Sequence, residues 1–88
     1  MKVAFKRTFL KDLEKLPRDA YQEIARLVLY EFPKATRVRD IKSVKKIAGE
    51  KNYFRIRIGY YRIGFEVRND ELVLMRVLHR KDIYRYFP

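Results

Sequence analysis

Hydrophobic positions in the first third of the chain repeat with the spacing of two helices. From Phe9 to Leu16 the apolar residues recur three and four positions apart, which is the period of a helix with one buried face. Pro17 ends this helix and opens a second one, whose apolar stripe runs to Phe32 before Pro33 ends it. The short connection predicts an antiparallel helical hairpin, and its apolar stripes need a sheet to cover.

In the second half of the chain the period changes to two residues. Three segments alternate apolar and polar residues as strands do: Asn52 to Ile58, Tyr60 to Val67 and Glu71 to Leu78. Gly59 marks one tight turn between them, and Asn69 lies in the other. Short turns favour antiparallel pairing, so these segments predict a three-stranded meander.

The remaining segments complete the predicted fold. Met1 to Phe5 predicts a short strand, Thr36 to Gly49 predicts an irregular stretch, and Asp82 to Phe87 predicts a short helix or turn. We expect a single α+β domain over residues 1–88, with an N-terminal strand, an α-helical hairpin, a three-stranded antiparallel meander and a short C-terminal helix. A chain of this length supports one hydrophobic core, and the helices are expected on one face of the sheet.

Composition removes several classes of function. The chain has no cysteine and a single histidine, His79, so we expect no disulfide, no metal site and no cofactor, and the lack of cysteine fits a reducing cytoplasm. No apolar segment has the length of a membrane span or of a secretion signal, so we expect neither a membrane association nor export.

Charge is the first indication of function. The formal net charge is +11, and a small domain this basic usually meets a polyanion: nucleic acid, an anionic membrane surface or an acidic protein. The plainer interpretation is a soluble surface that is basic without a specific partner.

Strand alternation collects the arginines on one face of the meander. If the hairpin covers the opposite face, four arginines share the uncovered one and Arg80 follows the last strand; the four are Arg55, Arg57, Arg62 and Arg76. Adjacent like charges repel unless an anion lies between them, and the planar guanidinium binds phosphate through paired hydrogen bonds. The alternative is a solvated face whose arginine stems cover apolar surface, with Glu66 as the fixed counter-charge.

Parity also divides the last strand into two faces. Val73, Met75 and Val77 form the more purely apolar set and are predicted to face the helices, which leaves Leu72 and Leu74 on the arginine side. Four aromatic residues are close in sequence to the arginines and suit stacking on unpaired bases: Tyr60, Tyr84, Tyr86 and Phe87. Core packing is the simpler role for each of them except Tyr84, which follows Arg80 by four residues, about one helical turn.

Two stretches carry a resemblance to a known family. Asn52 to Val67 contains Tyr-Arg-Ile in its hairpin, and Arg76 to Tyr84 contains His-Arg-Lys-Asp-Ile-Tyr. Together with Phe9 to Pro17, these stretches resemble the RelE/ParE toxin superfamily, and they cover nearly all of the chain except the segment from Thr36 to Lys46. The resemblance implies a toxin of a type II toxin–antitoxin system that is held inactive by a cognate antitoxin.

RelE-type members enter the ribosomal A site and cleave mRNA, so mRNA and ribosomal RNA are the partners that the resemblance implies. By position, the family's basic and aromatic site residues correspond to Arg55, Arg57, Arg62, Arg80 and Tyr84. The expected reaction is metal-independent attack of a ribose 2′-hydroxyl on its own 3′-phosphate. Several members carry lysines where this chain has Arg55 and Arg57, and arginine cannot serve as the general base.

Roles follow for the individual residues. Arg62 and Arg80 are assigned to the charge that develops on the phosphoryl oxygens, and Tyr84 to stacking or to protonation of the leaving oxygen. The RNA-binding set is predicted to contain five residues: Arg55, Arg57, Arg76, Tyr60 and Lys81. The general base stays open among His79, Glu66 and a contribution from the ribosome.

Three other functions remain open. A ParE-like inhibitor of DNA gyrase shares the fold but generally lacks this basic set. A non-catalytic RNA- or DNA-binding module would bind with strong salt dependence and yield no cut product. The third is a basic structural protein with no nucleic-acid role.

Overall fold

Five strands and three α-helices make up the chain, and the computed structural model describes all of residues 1–88. The elements are β1 (Lys2–Phe5), α1 (Arg7–Glu14), α2 (Arg18–Arg26), β2 (Val44–Lys46), β3 (Tyr53–Ile58), β4 (Tyr61–Arg68), β5 (Glu71–His79) and α3 (Arg80–Tyr86). After α2 the backbone stays helical through a π-helical segment, Leu27–Glu31, and a 3-10 turn, Phe32–Lys34, in which Pro33 lies. Every helix falls short of the length and hydrophobicity that a membrane span requires.

The strands form one sheet in the order β1-β5-β4-β3-β2. The meander pairs antiparallel as predicted, and β1 lies parallel to β5 at one edge. The α+β fold with an N-terminal strand, a helical hairpin, a meander and a C-terminal helix is confirmed. One element was missed: Val44–Lys46, in the stretch predicted to be irregular, pairs with β3 and forms the other edge of the sheet.

Helices α1 and α2 cover one face of the sheet and enclose the main core. This core contains Phe9 of α1, Ile24 of α2 and buried residues from β3, β4 and β5. The predicted stripes are only partly correct, since Leu10 and Tyr21 are each 43% exposed. On α1 the second buried position belongs to Asp12.

The predicted faces of β5 are wrong in its first half. Leu72 and Leu74 are fully buried in the main core, opposite Val67 and Phe65 of β4. The register between β4 and β5 then shifts by one residue at Met75, so that Val77 returns to the helix side opposite Ile63. A bulge of this kind reverses side-chain parity along a strand, and it leaves Arg76 and Leu78 on the face where the prediction placed them.

The second face of the sheet is not open along its whole length, which corrects the expectation that helices lie on one side only. Helix α3 packs on this face with Ile83 and Phe87, which are buried together with Val73 outside the main core. The ring of Phe87 lies against Gly64, where even a Cβ would overlap it. Gly64 therefore lets the C-terminal segment approach the backbone of β4 closely.

Candidate nucleic-acid interface

Strand register brings three of the predicted arginines together on the second face. Arg57 of β3 lies opposite Arg62 of β4, and Arg55 lies two pairs further along, opposite Gly64. On the other side of Gly64 lies Arg76 of β5. Because the ring of Phe87 occupies the position above Gly64, it separates Arg76 from the other three.

A cleft of about 400 Å³ opens beside the three arginines that remain together. Seven residues line it: Ser43, Val44, Lys45, Arg55, Arg57, Arg62 and Tyr84. Four of them are cations and none is an acid. The cleft therefore concentrates positive charge where no carboxylate competes for it, which suits a phosphate backbone.

Lys45 and Ser43 belong to this cleft and were missed by the sequence analysis. Lys45 lies on β2 directly opposite Arg55 of β3. The signal available in the sequence was weak, because a three-residue strand shows almost no alternation and Lys45 is one of several basic residues in that segment.

The guanidinium of Arg62 is fixed by the turn that precedes it. Its Nη1 donates to the carbonyl oxygens of Gly59 and Tyr61, both at 2.9 Å. A guanidinium has five N–H donors in one plane, so the remaining donors stay available to an anion in the cleft. Two carbonyl contacts reduce the rotamer freedom that Arg62 would otherwise lose on binding, and the group is preorganised.

Tyr84 contributes an exposed aromatic face at the rim of the cleft. Its side chain is 65% exposed, and the guanidinium carbon of Arg55 lies 4.5 Å from the ring centroid. This cation–π contact orients both groups while leaving much of the ring accessible. The arrangement suits a base that stacks on Tyr84 while its phosphates contact the arginines.

Arg76 has a protein partner of its own. Its Nε and Nη2 donate to the two carboxylate oxygens of Asp12 at 2.7 and 3.0 Å, and the backbone N–H of Val77 donates to the same carboxylate at 3.2 Å. Hydrogen bonding to Asp12 raises the pKa of Arg76, against the burial that lowers it. Glu66, the counter-charge of the alternative interpretation, pairs with Arg68 and is not among the residues that line the cleft.

Arg80, His79 and Tyr60 form a second group next to the strand ends. Tyr60 stacks parallel on His79 with ring centroids 6.2 Å apart, and the guanidinium carbon of Arg80 lies 5.7 Å from the Tyr60 ring centroid. The backbone N–H of Arg80 donates to the carbonyl oxygen of Tyr60 at 2.7 Å. These residues are not among those that line the cleft, although Tyr60 lies in the turn that leads into β4, the strand that carries Arg62.

His79 ends β5 and caps α3. Its Nδ1 accepts a hydrogen bond from the backbone N–H of Lys81 at 3.2 Å, which satisfies one of the free donors at the start of the helix. The ring is partly buried between Tyr60 and Tyr61. This geometry indicates a structural role for His79. The side chain of Lys81 is exposed.

A larger groove of about 750 Å³ lies between the end of α2 and the outer part of β3. Its lining combines apolar side chains with three acids and four cations: Glu23, Glu31, Asp40, Arg26, Lys34, Lys42 and Arg57. Because the carboxylates of the groove compete with phosphate for its cations, the smaller cleft, which has four cations and no acid, is the better candidate for a nucleic-acid contact.

Comparison with known proteins places the chain in a family. The model of the ParE toxin of the type II toxin–antitoxin system parDE matches residues 3–84. Toxin RelE3 of Methanocaldococcus jannaschii is 48% identical over 89 residues, with both chains covered completely. The chain belongs to the RelE/ParE toxin superfamily. It is a toxin of the type II class, and its RelE-type resemblance is confirmed.

Solved structures agree with this assignment. A chain in the RelB–RelE antitoxin–toxin complex from Methanococcus jannaschii matches with a TM-score of 0.80 and 44% identity, covering 97% of this chain and 99% of that one. The isolated Escherichia coli RelE toxin matches with a TM-score of 0.68 over 96% of this chain and 90% of that one. At 16% identity, the second match concerns the RelE fold alone.

Proposed function

We propose that this RelE-type toxin is an endoribonuclease that cleaves mRNA in the ribosomal A site. The observation that carries the proposal is the cleft lined by Lys45, Arg55, Arg57 and Arg62 without a carboxylate, with the exposed ring of Tyr84 at its rim. Cations and an accessible aromatic face are what a single RNA strand requires, namely charge for its phosphates and a surface for an unstacked base.

The reaction is attack of a ribose 2′-hydroxyl on the adjacent 3′-phosphate. The 2′-oxygen loses its proton and bonds to phosphorus, while the bond from phosphorus to the 5′-oxygen of the next nucleotide breaks and that oxygen takes up a proton. The products are a 2′,3′-cyclic phosphate and a 5′-hydroxyl. Arg62, already oriented by the two carbonyls, stabilises the negative charge on the phosphoryl oxygens. Arg55, Arg57 and Lys45 hold the flanking phosphates.

Arg80 and Tyr84 act on the two sides of the scissile phosphate in this proposal. Arg80 begins α3 and is exposed, so its guanidinium can turn from Tyr60 towards a bound strand. Tyr84 stacks on a base, or its hydroxyl protonates the leaving 5′-oxygen. Arg76, Tyr60 and Lys81 were predicted to bind RNA as well. Tyr60 and Lys81 are exposed and remain in the proposed RNA-binding set. Arg76 is paired with Asp12, so we assign it a different role.

The partner that restrains this toxin is proposed to be an acidic antitoxin. Type II toxins are inhibited by protein antitoxins, and the relatives from Methanococcus jannaschii and Mycobacterium tuberculosis were solved as complexes named RelB–RelE and RelBE2. A net charge of +11 favours an acidic chain as the inhibitor.

Primer extension on a translated message tests the proposal. After induction of the toxin, cuts are expected within the reading frame of messages on translating ribosomes and not on the same RNA without ribosomes.

Replacing Arg80 by Ala is expected to abolish cleavage and growth inhibition while the melting temperature stays within about 2 °C of the parent, because the exposed guanidinium contributes little to stability. Cleavage at the parent rate in this variant would remove Arg80 from the mechanism.

Gyrase inhibition is the second candidate, because the family model that matches residues 3–84 is that of a ParE toxin. It predicts a DNA-damage response, continued translation and intact messages after induction. A supercoiling assay with purified gyrase separates the two functions, since an endoribonuclease leaves supercoiling unchanged. The cationic cleft favours RNA cleavage over this candidate.

His79 is expected to stabilise the start of α3 rather than to act as the general base. Replacing it by Gln moves the side-chain acceptor one bond further from the backbone, away from the Lys81 N–H, and should lower the free energy of unfolding by about 1 kcal/mol, while the cleavage rate falls less than about tenfold. Replacing it by Asn, a good N-cap residue, should recover most of the stability.

The Asn variant provides the decisive comparison. If its thermal unfolding matches that of the parent and its cleavage is nevertheless lost, the imidazole takes part in the chemistry and the capping interpretation fails.

A further inference from the structure

One buried carboxylate stands apart from the other acids of the chain. Asp12 is 7% exposed and is the only charged residue in the buried set. It lies on α1, and its three hydrogen bonds all go to β5, two to the side chain of Arg76 and one to the backbone of Val77. Asp12 therefore fixes the guanidinium of Arg76 in position and orientation.

The same guanidinium contacts the C-terminal helix. Its central carbon lies 5.5 Å from the ring centroid of Tyr86, which is a cation–π distance. Arg76 thus links three elements: α1 through Asp12, the sheet through its own backbone, and α3 through Tyr86. The register shift at Met75 puts this residue on the face where α3 packs.

Helix α3 needs such a link because it is short. Its seven residues, Arg80–Tyr86, are far fewer than an isolated helix requires in water, so its position depends on packing. Ile83 and Phe87, four positions apart, form a single line of buried contact. A single line resists displacement but leaves rotation about that line less constrained.

Tyr84 and Tyr86 lie on opposite sides of this line. At about 100° per residue, Tyr84 is turned about 100° to one side of Ile83 and Tyr86 about 60° to the other. Arg55 contacts the first ring and Arg76 the second, at 4.5 and 5.5 Å. Rotation of α3 that moves Tyr86 off Arg76 therefore also moves Tyr84 relative to the cleft.

We propose that Asp12 and Arg76 are positioning residues that hold α3 in the rotation that places Tyr84 at the cleft. Arg76 is then not a contact for RNA, and Asp12 influences cleavage although it lies on α1, outside the residues that line the cleft. The inference rests on the proposed function for its kinetic consequence, while its structural part is independent of it.

The test compares a charge-neutral double variant with a matched control. Asp12→Asn with Arg76→Gln removes both charges together, so that no unpaired charge stays buried. Arg26→Gln with Glu31→Gln removes an exposed ion pair whose side chains are 3.2 Å apart, and neither residue lines the cleft. Cleavage on translating ribosomes, hydrogen exchange, and binding of a single-stranded oligonucleotide at several salt concentrations are measured for both.

In the Asp12/Arg76 variant, the cleavage rate constant is expected to fall ten- to hundredfold with KM changed less than about threefold, since small displacements of a reacting group have effects of this size. Amide protection should fall at Phe87, whose N–H is bonded to Ile83 in α3, and stay unchanged in β4. The slope of log affinity against log salt should match the parent, because no phosphate contact is lost. The control pair should leave all three quantities unchanged.

Two results would overturn the proposal. One is parental cleavage together with parental protection of α3. The other is a salt slope reduced by about 0.7, the value for one phosphate contact on a single strand, which would make Arg76 an RNA ligand.

A second variant covers the case in which the double variant does not fold. Tyr86 is 52% exposed, so Tyr86→Leu should fold while losing the aromatic face over Arg76, and it should shift α3 protection and the cleavage rate in the same direction. If parental toxin cleaves no RNA, the proposed function fails by itself; the exchange measurement still decides whether Arg76 fixes α3.

Discussion

Replacing Arg62 by Ala is expected to reduce the rate of mRNA cleavage on the ribosome by about 10²- to 10³-fold, the loss found when one preorganised donor to a developing oxyanion is removed. The expectation is larger for Arg62 than for Arg55 or Arg57 because its guanidinium is already held by the carbonyls of Gly59 and Tyr61. The measurement is the single-turnover rate on translating ribosomes programmed with one message.

Two comparisons make this result specific. Arg62→Lys keeps the positive charge but loses the planar fork, so it should remain at least tenfold slower than the parent. Arg18→Ala removes an exposed arginine at the start of α2 and should cleave at the parental rate. An Arg62→Ala variant that folds and cleaves within threefold of the parent would show that Arg62 does not act on the phosphate.

Much of the fold was predictable because burial on one side imposes a period. The hairpin follows from Phe9, Ile24 and Phe32, which the structure buries in the main core, and the meander follows from two-residue alternation. The adjacency of Arg57 and Arg62 was predictable for the same reason, since a tight turn at Gly59 fixes the register of the strands on either side.

Alternation gave the wrong faces where both sides of a strand are apolar. From Leu72 to Met75 every residue is hydrophobic, because α1 and α2 cover one side of β5 and α3 covers the other. In such a stretch parity carries no information about which side faces which helix. The bulge at Met75 then changes the assignment partway along, and nothing in the local sequence marks it.

The parts of the candidate site that the sequence did not reveal depend on contacts between residues far apart in the chain. Asp12 and Arg76 are 64 positions apart, and an aspartate on a basic helix has the usual pattern of a solvated residue. Lys45 enters the cleft because β2 pairs with β3, a pairing of three residues that local patterning cannot reveal. Physical reasoning from the sequence therefore found the arginines but not the groups that restrain or extend them.

Asp12→Ala is expected to cause a large loss of stability, about 3 kcal/mol in the free energy of unfolding. Removing one partner of a buried ion pair typically costs about 3–5 kcal/mol, because the other charge stays buried and unpaired. The lower end of this range applies here because the side chain of Arg76 is 26% exposed to solvent. For a domain of this size each kcal/mol lowers the melting temperature by roughly 4–8 °C, so thermal unfolding detects the change readily.

A double-mutant cycle shows whether the loss comes from the pair. Replacing both residues by apolar ones, Asp12→Leu with Arg76→Met, should cost less than Asp12→Ala alone, because no unpaired charge then remains in the interior. Asp19→Ala, at an exposed acid in the first turn of α2, should change stability by no more than about 0.5 kcal/mol. If the free energy of unfolding lost in the double replacement equals the sum of the losses in Asp12→Leu alone and Arg76→Met alone, the two residues act independently. In that case the carboxylate stabilises the fold mainly through the backbone of Val77.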